Sequence, residues 1–170
     1  MIRDRRFHEI TVDEIARQAR VSKGTIYTYF EDKEDLFFQL ATLGYQELCD
    51  TLERYAHLED GLSIETRLVA MCARISDFFE GRRALFRLAG EQEGRLPALR
   101  ARRRELFRKH RGRLRSAVAS VLAGRVRTDI PPETQAEFLL GLMKTRTRAF
   151  PDADERPPVR VVVDVFLRGA

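Results

Sequence analysis

The chain has 170 residues, 44% hydrophobic and 34% charged, with no Trp and with Gly and Pro scattered rather than clustered. This balance supports a folded core and excludes a low-complexity or wholly disordered chain. No stretch approaches the ~18 uninterrupted apolar residues of a membrane span, and the opening MIRDRRFHEI lacks a signal peptide's apolar run, so a cytoplasmic location is expected. The net charge of +5 is unevenly placed: 13 Lys or Arg stand against 3 acidic residues between Arg82 and Arg115, whereas Met1 to Asp35 carries 7 basic and 8 acidic residues.

In chain order, the first clear element begins at Thr11. Thr11-x-x-Glu14 has the form of a capping box, and Ile10 before it can staple against Ile15. The predicted helix runs through Ala19 with Ile15 and Ala19 facing inward. Ser22 then caps a second helix, with Val21 and Ile26 spaced for a second staple. Two caps eleven residues apart leave a turn of three or four residues, which is the pattern of a helix-turn-helix.

Asp32 caps a third, long helix whose apolar positions are Leu36, Leu40, Leu43, Leu48, Leu52 and Tyr55. LEDGLS breaks it. A fourth helix carries Leu68, Met71, Cys72, Ile75, Phe78 and Phe79 and ends near Gly81; RRALFRLAGEQ is expected to be helical as well. After Pro97 a long helix carries Leu106, Phe107, His110, Leu114, Val118 and Val121, with its many arginines read as a solvated, salt-bridged face rather than a nucleic-acid arm. Pro131 and Pro132 open the next helix, with Ala136, Leu139, Leu140, Met143, Thr147 and Phe150 on one stripe. The closing VRVVVDVFLRGA has the valines of a strand, but no partner strand exists and Val159, Val162, Val163 and Phe166 share a helical face, so helix is expected. The fold class is all-α.

The segment TVDEIARQARVSKGTIYTYFEDKEDLF resembles the DNA-binding segment of the tetracycline-repressor (TetR) family of transcriptional regulators. The resemblance rests on Thr11-Val12, Ile15-Ala16, Val21-Ser22-Lys23-Gly24-Thr25, Tyr27-x-x-Phe30 and Lys33-Glu34-x-Leu36. It implies a helix-turn-helix module over residues 1–44 and a helical effector-binding and dimerisation domain over 45–170. The protein would be a regulator, most often a repressor, that binds a palindromic double-stranded operator as a homodimer through its last two helices and is released by a small molecule. Thr11, Ser22, Lys23, Gly24, Thr25, Tyr27, Thr28, Tyr29 and Lys33 are the candidate DNA-binding residues. Small and polar side chains let a recognition helix approach the major groove, and Gly24 inside a helix costs about 1 kcal/mol that a purely structural helix has little reason to bear.

Met71, Ile75, Phe78, Phe79, Phe86 and Phe107 are candidates for a pocket taking a hydrophobic effector, although the same residues suit a closed core. No phosphate loop, nucleophile elbow, metal-spaced His or cofactor motif marks an enzyme. Cys49 and Cys72 read as buried thiols. A helical interaction protein, or a truncated dimerisation partner without DNA binding of its own, is the alternative.

Two departures from the family pattern stand out. The stretch before Thr11 is expected to be too short and polar to supply the usual first helix, which suggests an upstream in-frame extension. Arg20 occupies the turn position where the family usually has Gly, so a left-handed backbone is expected there at a cost of roughly 1 kcal/mol.

Overall fold

A computed structural model describes residues 6–57, 61–86 and 97–169. Among them every regular element is a helix: a 3-10 turn at Phe7–Glu9, then α1 (Val12–Ala19), α2 (Lys23–Tyr29), α3 (Lys33–Ala56), α4 (Ile64–Gly81), α5 (Pro97–Leu122), α6 (Pro132–Ala149) and α7 (Val159–Arg168). The chain divides into two compact units, Met1–Gln46 with Phe79–Arg108, and Glu47–Phe78 with Lys109–Ala170. Residues 83–86 are helical; the rest of the helix expected at RRALFRLAGEQ lies outside the described residues.

In the first unit the predicted caps form. Thr11 Oγ1 accepts from Glu14 N at 3.2 Å, and the Glu14 carboxylate accepts from Thr11 N at 3.0 Å. Ser22 Oγ accepts from Thr25 N at 3.0 Å, and Asp32 Oδ1 from Asp35 N at 2.7 Å. Each satisfies a backbone N–H that the helix itself leaves without a partner. At the other end of α1, Arg20 is left-handed, with φ 58° and ψ 38°. Val21 N donates to Ala16 O at 3.0 Å and Arg20 N to Arg17 O at 3.3 Å. This crossed pair is the Schellman arrangement, which closes a helix tightly and favours Gly at the left-handed position.

The core of the helix pair is one small cluster. Val12, Ala16, Ile26 and Leu36 are buried together, with Ile15 and Phe30 packed against them. Two expectations need correction. Ala19 is exposed, and α1 turns Val12 and Ala16 inward instead. Val21, spaced to staple against Ile26, is also exposed rather than covered.

A second cluster joins Phe7, Ile10 and Phe37, with Ile15 and Leu85 against it. The Phe7 and Phe37 rings meet edge to face with centroids 5.5 Å apart. The polar-looking stretch before Thr11 therefore does contribute an apolar anchor. Lys33 reinforces it: its ammonium donates to Phe7 O and Ile10 O, each at 2.7 Å, and lies 4.2 Å from the centre of the Phe7 ring. Partial burial pushes this ammonium below the ordinary lysine value, opposed by Glu34.

Within α3 the buried side chains in this unit are those of Leu36, Phe37, Phe38, Ala41 and Tyr45, with Gly44 buried among them. Of the leucines expected on the inward stripe of α3, Leu36, Leu48 and Leu52 are buried, whereas Leu40 and Leu43 turn outward and are exposed. Large aromatic rings at 37 and 45 bury more apolar area than the leucines do, and they set which face turns inward. Around Tyr45 stand Phe79, Phe86 and Phe107, with ring centroids 5.7, 6.5 and 6.1 Å away.

The second unit buries Leu48, Cys49, Leu52, Leu68, Met71, Cys72, Leu114, Val118, Val121, Leu122, Leu139 and Val163, among others. Pro131 and Pro158 immediately precede α6 and α7, where a missing N–H costs nothing. The valine-rich tail is a helix, as its face pattern implied. Arg113 ties α5 to α3, with its Nη2 2.6 Å from Asp50 and 2.7 Å from Glu53, and Arg111 pairs with Glu137 on α6 at 2.8 Å. Part of the basic segment is thus neutralised by acidic neighbours. Burial pushes the Cys49 thiol up to about 11 and that of Cys72 to about 12, so both stay protonated and unreactive at neutral pH. His110 is buried, and desolvation with Arg113 and Lys109 nearby lowers its pKa, which keeps the ring neutral at pH 7.

Urea unfolding of two variants tests these local readings in opposite directions. Arg20→Gly relieves the left-handed strain and should stabilise the fold by about 1 kcal/mol. Lys33→Ala strips two carbonyls of their donor and should destabilise it by about 1–2 kcal/mol. A destabilised Arg20→Gly or an unchanged Lys33→Ala would contradict the corresponding assignment.

Candidate nucleic-acid interface

Residue by residue, α2 is an outward-facing helix. Of Lys23–Tyr29 only Ile26 is buried, at 7% exposure, whereas Tyr27 and Tyr29 are 48% and 72% exposed. A seven-residue helix is too short to persist in water by itself. Ile26 in its cluster is what holds α2 down, contributing roughly 2 kcal/mol by burial. The other α2 positions are exposed, and they are six of the nine candidates named from sequence: Lys23, Gly24, Thr25, Tyr27, Thr28 and Tyr29.

Gly24 makes the same point through the backbone. A Cβ at this position would meet only Ser22 Oγ, at 3.6 Å, an ordinary contact. Its φ is not in the left-handed region. Among the described residues neither packing nor backbone geometry calls for glycine here, although glycine weakens the helix by about 1 kcal/mol. A bare backbone there leaves this side of α2 open to close approach from outside the chain.

The hydroxyls differ in what they have left to offer. Ser22 Oγ and Thr25 Oγ1 are 2.8 Å apart and share one O–H between them, so the pair keeps one proton to donate outward. Thr28 Oγ1 donates to Gly24 O at 3.0 Å, and Thr11 Oγ1 lies 3.2 Å from the Glu14 carboxylate. Both of those protons are committed inside the chain.

The cations are also engaged. Lys23 Nζ lies 2.7 Å from Asp13 Oδ2, which raises its pKa through the hydrogen bond and the charge of Asp13. Two of the three Lys33 N–H bonds go to Phe7 and Ile10, leaving one for an external anion. Arg17 and Arg20, not among the DNA-binding candidates named from sequence, are exposed at the end of α1 beside the turn. Asp13 carries no signal in the sequence either, because a partnership ten residues apart is invisible until the turn folds α1 against α2.

The candidate effector residues are divided between the two units. Met71, Ile75 and Phe78 are buried in the second, while Phe79, Phe86 and Phe107 are half-buried around Tyr45 in the first. Among the described residues no group of three or more His, Cys, Asp or Glu could hold a metal ion, and no helix is long and apolar enough to cross a membrane.

Comparison with known proteins follows the same division between motif and fold. Residues 1–40 match the family described as bacterial regulatory proteins, tetR family. Solved structures cover nearly the whole chain. The TetR-family regulator PfmR from Thermus thermophilus is 20% identical with a TM-score of 0.65, matching 96% of this chain and 90% of its own. FadR from Bacillus subtilis, solved in complex with stearoyl-CoA, is 16% identical with a TM-score of 0.69 over the same shares. A TetR-family regulator from Mesorhizobium loti is 22% identical with a TM-score of 0.70, over 95% of this chain and 87% of that one. Curated protein sequences show no match. The first forty residues thus match the tetR family in sequence, and the fold along the rest of the chain is the one seen in solved regulators of that family.

Proposed function

We propose that the protein is a TetR-family transcriptional regulator, a cytoplasmic repressor that binds a palindromic operator as a homodimer, with α2 as the recognition helix, and that a hydrophobic effector releases it. The observation that carries the DNA contact is the exposure of every α2 residue except Ile26, together with a glycine that nothing among the described residues requires. In this reading Gly24 lets the α2 backbone approach the groove, Lys23 and the Ser22–Thr25 hydroxyl pair meet phosphates, and Tyr27 and Tyr29 offer ring or hydroxyl to base edges and backbone. Thr11, Thr28 and Lys33 mainly hold the motif in shape, and Lys33 keeps one N–H for a phosphate.

Dimerisation is supported by an apolar surface on the last two helices. Phe138 and Leu142 on α6, and Val161 and Val165 on α7, are exposed large hydrophobic residues. Single surface apolar residues need no explanation, but four on two adjacent helices favour a partner surface. A dimer also doubles the base pairs read, which one seven-residue helix needs for useful specificity. The aromatic group around Tyr45 supports an apolar effector, and long-chain acyl thioesters, the class seen in the Bacillus subtilis FadR complex, are the first to screen.

Gly24→Ala separates function from fold: it should stabilise the protein by up to about 1 kcal/mol while weakening operator binding in a gel-shift assay on its own upstream region. Lys23→Ala and Tyr27→Ala should also weaken binding without unfolding the chain; operator affinity unchanged in all three would remove α2 from the interface. Phe138→Glu combined with Val161→Glu should sediment as a folded monomer, whereas a persistent dimer would place the interface elsewhere. Long-chain acyl thioesters and aromatic acids, titrated into the protein–operator complex, should include a class that releases the DNA. Failure of every class would count against an apolar effector.

A further inference from the structure

The ion pair between Asp13 and Lys23 has no evident structural task. Both side chains lie at the surface, 50% exposed for Lys23 and 66% for Asp13, with 2.7 Å between Nζ and Oδ2. Exposed pairs of this kind contribute little to stability. Their positions are nevertheless telling. Asp13 sits in the first turn of α1, where the helix dipole favours a carboxylate, whereas Lys23 is the first residue of α2, where a cation is disfavoured. The other acidic group in that turn, Glu14, is occupied by the Thr11 N–H and hydroxyl. Asp13 is thus the carboxylate that holds Lys23, and it lies beside the face where the function proposed above brings in DNA.

We infer that Asp13 limits the affinity of the protein for DNA by competing with phosphate for Lys23. In the free protein the carboxylate occupies the ammonium; on the operator Lys23 exchanges it for a phosphate oxygen, and Asp13 is left as a negative charge facing the DNA backbone. Each binding event therefore carries the loss of one ion pair, which holds the affinity below what the contacts of α2 would otherwise give. A repressor that must be released by a small molecule gains from this, because the effector then has less binding free energy to overcome. The inference rests on the DNA-binding reading of α2 but adds a residue that touches no base.

The test is a cycle of four full-length proteins, wild type, Asp13→Asn, Lys23→Ala and the double variant, measured by fluorescence anisotropy on a duplex that the wild type selects from a randomised pool. Asp13→Asn should bind roughly threefold to fivefold more tightly at low salt, the range open to a half-exposed ion pair. This gain should shrink as salt rises, because screening weakens the pair that the wild type must break. The gain should also be larger in the wild-type background than in Lys23→Ala, since without the lysine only the general repulsion of Asp13 remains to be removed. Equal gains in both backgrounds would make Asp13 a mere surface charge and overturn the inference. Weaker binding by a folded Asp13→Asn would show that Asp13 orients Lys23 on the DNA and would overturn it too. A wild-type protein that selects no duplex would overturn the DNA-binding reading itself, and this inference with it.

Discussion

The burial of Ile26 is the constraint on which the N-terminal module depends. As the recognition helix proposed above, α2 would have to present its side chains to another molecule and still stay folded while that molecule is absent. With one apolar residue among seven turned inward, α2 relies on Val12, Ala16 and Leu36 to hold it, and on Ser22 to close its first turn. The Schellman closure of α1 sets the angle at which Ile26 arrives. In the reading proposed above, the polar positions around Ile26 serve recognition because none of them is needed to fill the core.

Such a helix could be expected to carry strong positive charge, yet Met1 to Asp35 has one more acidic than basic residue. The geometry shows how its charge is handled. Lys33 is turned back onto two carbonyls and an aromatic ring, where it links the 3-10 turn to the start of α3. Lys23 faces outward but is held by Asp13. What the surface of α2 presents instead is hydroxyls, two exposed tyrosines and a bare stretch of backbone at Gly24. Groups of this kind distinguish groove shape and base edges, whereas a dense cationic surface would bind any duplex and would do so in proportion to low salt.

The basic stretch from Arg82 to Arg115, the most cationic part of the sequence, is partly absorbed by intramolecular ion pairs in the second unit, through Arg113 with Asp50 and Glu53 and through Arg111 with Glu137. Local charge density along the sequence is therefore a poor guide to the charge that the folded surface presents. Charge counted along the chain does not record which acidic residues the fold brings alongside.

The sequence by itself determined the local elements of this protein: the caps at Thr11, Ser22 and Asp32, the tight corner at Arg20, the helical rather than extended tail, and the family of the N-terminal segment. Each of these depends on residues within a few positions of one another, where side chain and backbone meet regardless of the rest of the fold. Tertiary structure alone decided what depends on distant partners. It turned Phe37, Ala41 and Tyr45 inward in place of Leu40 and Leu43, because the facing elements bring rings such as Phe7 and Phe79 against that side of α3. It gave Phe7 a buried place, brought Phe79–Arg108 into the first unit, and paired Asp13 with Lys23 across the turn. These choices are governed by how much apolar area and charge neighbouring elements can cover together, a quantity that does not exist until those elements have packed.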